Sequence, residues 1–194
     1  MAEQLGRTTR LQAVSVIIGT IGEAAPVTLE DDGRADLIAA ERILDETSVA
    51  VQENGWYFNS TVRTITPGLT GKISIPQYAL RADVVDPTLN YVVRGDYLYD
   101  LDTNAYGGFT KDVELAMVEQ LTFEELPQAA RRHIMIRAAR VFVDREVGDR
   151  VIRSFTKEDE QESLLRLEQA DSEAMDANMF NDPEYTAVLN RWLS

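Results

Sequence analysis

The chain has 194 residues, with 19 Lys+Arg against 33 Asp+Glu, one His and no Cys, so its net charge is −14. A disulfide scaffold, a thiol nucleophile and Cys-ligated zinc are excluded outright, and one His leaves no His-rich metal site. The charge argues against gripping nucleic acid by phosphate neutralisation, which needs a basic surface, while 44% hydrophobic residues provide for a real core.

The first predicted element is a helix from about Leu5 to Ile21. Leu11, Val14, Ile18 and Ile21 are spaced 3, 4 and 3 apart, the stripe of an amphipathic helix. Arg7 and Arg10 ahead of this stretch imitate the start of a signal peptide, but Gln12, Ser15 and Thr20 interrupt the apolar run. No run approaches the roughly 18 apolar residues of a membrane span, so the expectation is a soluble chain. A second helix follows the Asp31-Asp32-Gly33 turn and carries Leu37, Ala40, Leu44, Thr47 and Val51 on one face. Asn54-Gly55 closes it in the manner of a left-handed C-terminal cap.

From Trp56 to about Leu121 the period changes to two. Phe58, Val62, Ile73, Ile75, Val84, Val85, Tyr91 and Val93 sit in short runs broken by Pro67-Gly68, Gly71, Pro76 and Pro87. Tyr91 to Tyr99 reads as a hairpin turning at Arg94-Gly95-Asp96. Val113, Leu115 and Met117 alternate with polar residues as a last strand. Helix returns after Thr122-Phe-Glu-Glu125, which has capping-box spacing, with Pro127 placed in the first turn. Ala130, Ile134, Ala138 and Val141 form its stripe, Met135 and Phe142 widen it, and Gly148 ends it. The last helix runs from near Thr156 to about Asn178, with Leu164, Leu165, Leu167, Ala174 and Met175 as its apolar part, and Asn181-Asp-Pro183 breaks it.

The fold expected is therefore α+β: a four-helix bundle from the N- and C-terminal helices (residues 1–55 and 122–180) with an inserted antiparallel β-rich domain (56–121) and a tail (181–194). Its two late helices carry opposite charge. Seven Arg lie between Arg131 and Arg153, and eight acids between Thr156 and Asn178 face only Lys157 and Arg166. Arg131, Arg137, Arg140 and Arg145 are thus expected in ion pairs, either within the bundle or with a neighbouring subunit. Exposed pairs of this kind set register and add only about 0–1 kcal/mol each.

Motifs for chemistry are weak. Gly68-Leu-Thr-Gly71-Lys72 is too short for a phosphate loop. Asp100-Leu-Asp102-Thr-Asn104 opens like a calcium loop but has Ala105 where Gly belongs and Lys111 where Glu belongs. His133 has no nucleophile elbow beside it. Paired carboxylates could run glycoside hydrolysis, making a cell-wall or polysaccharide glycosidase the alternative function. An acidic mimic of nucleic acid is a third class, opposed by the Arg-rich helix. No cofactor or metal is expected.

Across nearly the whole chain, in one order, run further motifs. They are Ile21-Gly-Glu23, Pro26-Val27, Thr28-Leu29-Glu30-Asp31, Arg34-Ala-Asp36, Ala40-Glu-Arg-Ile-Leu44 and Gly55-Trp-Tyr-Phe-Asn59. Tyr91-Val-Val-Arg-Gly-Asp-Tyr-Leu-Tyr-Asp100, Glu125-Leu-Pro127, Ala138-Ala-Arg140 with Phe142, Glu158-Asp-Glu160 and Asn178-Met-Phe180 follow. In these the chain resembles the tail tubular protein A family of short-tailed phages, the head-to-tail adaptor or gatekeeper. It departs at Ala24-Ala25-Pro26, where relatives often carry consecutive prolines. The resemblance implies a non-enzymatic virion protein assembled in the host cytoplasm as a dodecameric ring between portal protein and tail nozzle (tail tubular protein B). It further implies a lumen through which duplex DNA passes without specific binding, for genome retention and ejection, and a rim that helps tail fibres attach. On that reading Arg94, Gly95 and Asp96 face the nozzle. Trp192 packs on the bundle or anchors the portal, and the acidic helix or Asp96, Asp100 and Asp102 line the channel.

Overall fold

A computed structural model describes residues 6–30, 34–147 and 155–181. The protein is mixed α+β, with α1 (Arg10–Gly19), α2 (Ala35–Gln52), β1 (Ser60–Ile65), β2 (Ala79–Val84), β3 (Tyr91–Arg94), β4 (Tyr97–Asp100), β5 (Val113–Glu119), α3 (Gln128–Phe142) and α4 (Lys157–Asn181). It divides into two compact units, Met1–Ser48 with Phe123–Ser194, and Val49–Thr122.

In the helical unit α1 begins later than its periodicity suggests. Thr9 caps it: its hydroxyl accepts from the Gln12 N–H at 3.2 Å and the Gln12 side chain accepts from the Thr9 N–H at 2.9 Å. This reciprocal box fixes the start at Arg10. Ala13, Val14, Ile17 and Ile18 are buried. α3 packs against both α1 and α4, and nine of its residues, from Ala130 to Phe142, are buried. A helix buried nearly all round is the centre of its unit.

The start of α3 corrects the sequence expectation. Thr122-Phe-Glu-Glu125 precedes the helix, and Pro127 in extended conformation is the N-cap, with no side-chain cap bond. The residue before a proline is steered away from helical geometry, so the boundary falls at Pro127. At the other end α3 passes into a π-helical turn, Val143–Val147, and the predicted stop at Gly148 lies outside the described residues. α4 starts where Thr156 predicts. The Thr156 hydroxyl accepts from the Asp159 N–H at 3.1 Å, and the Asp159 carboxylate accepts from the Thr156 N–H at 2.7 Å. The Thr156 N–H and the Thr156 hydroxyl, which donates at 3.0 Å, hold the Asp159 carboxyl below its usual range.

The apolar reading of α4 needs correction. Leu167 is buried and Leu164 and Ala174 are half-buried, but Leu165 and Met175 are 64% and 60% exposed. A helix packed on one neighbour buries one stripe, and these two residues lie off it.

The second unit opens with the last turn of α2, closed by Gly55 at φ +78° as Asn54-Gly55 predicts. Its three-stranded sheet has order β1-β5-β2, all antiparallel, with a bulge between Ala79 and Arg81. β5 is central because Val113, Leu115 and Met117 project to one face. They join Ile73, Leu98 and Phe109 in the core, and each fully buried apolar side chain contributes about 1.5–3 kcal/mol. β3 and β4 form the predicted hairpin. Val62 and Val85 depart from expectation, at 60% and 43% exposure. In β1 the side chains of Ile65 and Thr61 are the more covered ones, so Val62 faces the open side. Among the described residues no helix is long and apolar enough to cross a membrane.

Candidate interaction surfaces

The hairpin register pairs Arg94 with Tyr97 across a two-residue turn of Gly95 and Asp96. Gly95 has φ +59°, and glycine at the first central position is the signature of a type II′ turn, whose twist matches the flanking strands. Nothing lies within 4 Å of where a Gly95 side chain would stand. Below the tip, the buried Leu98 donates its N–H to Ile73 O at 3.0 Å and the Ile75 N–H reaches Asp96 O at 2.9 Å. The hairpin is therefore seated on the unit's core while its tip projects.

Side chains alternate across β4. Leu98 points to the core, so Tyr97 and Tyr99 point away from it. Arg94 lies over the Tyr99 ring at 3.8 Å, Lys72 over Tyr97 at 5.2 Å, and Tyr99 meets Tyr106 edge-on at 4.8 Å. Of the three hairpin residues predicted to face a partner, Gly95 and Asp96 form the tip, whereas Arg94 turns back onto the flank. The aromatic companions had a visible signal, the alternation Tyr97-Leu-Tyr99, that period-two reading used only to place a strand.

Asp100, Asp102 and Asn104 make a turn. The Asp100 carboxylate accepts the N–H groups of Asp102 and Thr103 at 2.8 and 3.2 Å. Desolvation pushes its carboxyl up, but bonds from Thr103 and Asp102 hold it below the usual range. Asn90 donates to Asp102 at 2.9 Å. Among the described residues no group of three or more His, Cys, Asp or Glu side chains could hold a metal ion. Beside the turn lies a cleft of about 610 Å³ lined in part by Asp86, Tyr91, Asp100, Phe109, Lys111 and Asp112. A glycosidase needs one carboxyl that keeps its proton near neutrality. Asp86, bonded by Thr88, is shifted downward like Asp100, which is the opposite direction.

The arginines of α3 and the turn after it divide into two kinds. Arg137 approaches Glu160 of α4 at 3.8 Å, Arg140 bonds the same carboxylate, and Arg145 reaches Glu46 of α2 at 2.6 Å. Arg131 differs from its expected role as an ion-pair former. Its Nε donates to Leu126 O and Nη1 to Thr8 O, both at 2.8 Å, and Nη2 bonds Glu124 O. The reason is position: with only 3% exposure it faces the carbonyls of Thr8, in the segment before α1, and of Glu124 and Leu126, in the turn before α3. Sequence reasoning also missed Arg10, which bonds Glu41 and Asp45 of α2. Trp192 lies outside the described residues.

His133 is buried between α3 and α4, with Nδ1 2.9 Å from Ser163 Oγ. Ser163 donates its own proton to Glu160 O at 2.8 Å, so the imidazole is the donor to Oγ. A buried helical serine spent on its own backbone is not set out as a nucleophile; the pair ties two helices. Burial, and secondarily Arg137, push the imidazole pKa below its ordinary value, against the attraction of Glu160. The unfolded chain thus takes up a proton below about pH 6.5 that the folded chain does not, and stability falls as pH drops through that value. Relative to His133→Gln, the native chain should lose urea resistance between about pH 7 and 5.5; parallel curves would reject this account.

The tail tubular protein family matches the chain over residues 11–177. The chain is also similar to tail tubular protein A of Klebsiella phage KP34, at 26% identity over 159 residues, covering 81% of this chain and 84% of that protein. The match spans both compact units, from α1 into α4.

Proposed function

We propose a head-to-tail adaptor, because the chain belongs to the tail tubular protein family. Members are structural proteins of the phage tail, and this chain is a component of that tail. The observation that carries the finer reading is the match across residues 11–177. The proposal is a dodecameric ring, assembled in the host cytoplasm, that sits between portal protein and nozzle, carries duplex DNA through its lumen and lends its rim to tail fibres. Such a ring needs unlike patches on each subunit that close after a fixed rotation.

The division of labour follows from the two units. Helices cross-linked by Arg137, Arg140 and Arg145 give a stiff body for tiling, as the expected four-helix bundle would. The hairpin tip, Gly95 and Asp96, reaches toward the nozzle. Acids of α4, or Asp96, Asp100 and Asp102, line the channel, where like charge keeps phosphates sliding within the screening length of about 8 Å. Trp192 remains a proposed anchor for bundle or portal. The reading needs no catalytic role.

The test inserts five Gly/Ser residues between Gly95 and Asp96, at a tip where insertions are tolerated. Native chain and variant should both form a ring on portal, seen as a defined mass, and only the native chain should then hold the nozzle. A native chain that stays monomeric with portal rejects the adaptor. Normal nozzle attachment by the variant rejects the hairpin assignment.

A further inference from the structure

Among the described residues, one end of the β unit presents exposed apolar and cationic groups. The turn 67–71 is rigid: the Gly68 N–H bonds Lys72 O and the Gly71 N–H bonds Gly68 O, both at 2.8 Å, and the Phe109 N–H bonds Gly71 O at 3.1 Å. Gly71 has φ +67°, and a side chain there would stand 3.0 Å from the Gly108 nitrogen. This constrained turn holds Leu69 fully exposed. The 106–107 segment lies against it, since a Gly107 side chain would meet Thr70 O at 3.5 Å and the Lys72 stem at 3.7 Å. Tyr97 and Tyr106 are also exposed.

Among the described residues, neither Lys72 nor Arg94 has a salt-bridge partner; each rests on a tyrosine ring. In a chain of net charge −14, two cations held over aromatic faces without a carboxylate form a receptor for one. Leucine, tyrosines and arginine on a rigid support are the composition of a contact's central anchors.

The complementary surface is on the same chain. Gln161, Leu165, Glu168, Ser172 and Met175 recur along α4 at helical spacing and form one outer face. Leu165 and Met175 supply exposed apolar groups there, and Glu168 supplies charge. Lys157 and Arg166 are the only bases on the helix, and Arg166 is taken by Glu162 at 2.6 Å.

We propose that the Leu69, Tyr97 and Tyr106 patch, with Lys72 and Arg94, seats the outer face of α4 from a second copy of this chain. The proposal rests on the ring reading above and names its two surfaces. Because the surfaces are unlike, the contact is head-to-tail and repeats from copy to copy until the ring closes. The Glu168 carboxylate approaches the ring-held cations, and Leu165 and Met175 cover Leu69 and the tyrosine edges. The tip, Gly95 and Asp96, stays free for axial contact.

A photo-cross-linking amino acid, Leu69→p-benzoylphenylalanine, tests this in the full chain assembled on portal from an equal mixture of isotopically heavy and light copies. The expected product is a heavy–light cross-link from position 69 to residues 161–175. Glu168→Lys should reduce it by about tenfold, because like charges then face each other. A ring of normal mass whose position 69 captures another region, a nozzle or fibre protein, DNA, or nothing overturns this contact and leaves the ring standing. Absence of any ring overturns both.

Discussion

Arg131→Ala should destabilise the helical unit by about 3–5 kcal/mol, because three carbonyls lose their donor at about 1–3 kcal/mol each. The guanidinium holds the carbonyls of Thr8, Glu124 and Leu126 at once. These belong to the segment before α1 and the turn before α3, where Pro127 provides no side-chain cap. Truncation leaves acceptors facing a space already closed by Phe123 and the surrounding chain. Arg131→Lys should recover less than half, because one ammonium cannot span three carbonyls in the plane of a fork. The check is the urea midpoint of each variant at fixed pH. A loss under about 1 kcal/mol for the alanine variant would mean that water replaces the guanidinium without penalty. Protease cleavage near Thr8 should rise in parallel, since Gln128 then holds that segment with only two bonds of 2.8 Å.

The second large effect is expected at Asn59 in the β unit. Its side chain is buried and fully used. Oδ1 accepts from the Trp56 N–H at 2.8 Å, and Nδ2 donates to Gln52 O at 3.0 Å and Glu119 O at 2.9 Å. Gln52 makes a parallel tie, exchanging two bonds with the backbone of Leu121 at 3.1 and 2.7 Å. Asn59→Ala should cost about 2–4 kcal/mol by leaving a donor and two acceptors unpaired. Asn59→Asp should cost more, because it turns the donor end into a carboxylate facing two carbonyls. Denaturant melts followed by Trp fluorescence suit this site, as the Trp56 indole donates to Val51 O at 2.7 Å within the same cluster. An aspartate variant as stable as the native chain would refute this role.

Legibility followed sequence separation. The hairpin was readable because Gly95 and the alternating Tyr91–Tyr99 run specify turn and register within ten residues. The start of α4 was readable for the same reason, since Thr156 and Asp159 complete a local box. The box at Thr122 failed because Pro127, a stronger local constraint, fixes the boundary of α3 after it. Ion pairing of Arg137, Arg140 and Arg145 was expected from charge, yet their partners are Glu160, Glu160 and Glu46. No periodicity indicates which acid among 33 a given arginine meets. His133 was read alone because Ser163 lies 30 residues away. Leu165 and Met175 were read as the apolar part of α4 because hydrophobicity was visible and the number of neighbouring helices was not.

The sequence by itself determined the α+β class, most element positions, the hairpin with its Gly95 turn, the absence of thiol chemistry and, through ordered motifs, the tail tubular family. These rest on local backbone preference and on patterns that survive when each segment is taken alone. Only the tertiary structure decided that Arg131 serves carbonyls rather than carboxylates and that Asn59 is a hub. It alone placed Lys72 and Arg94 on tyrosine rings beside an uncovered Leu69. Each of those outcomes depends on which groups desolvation brings face to face. A buried polar side chain takes whatever partner packing leaves unsatisfied, and that choice is made across the chain rather than along it.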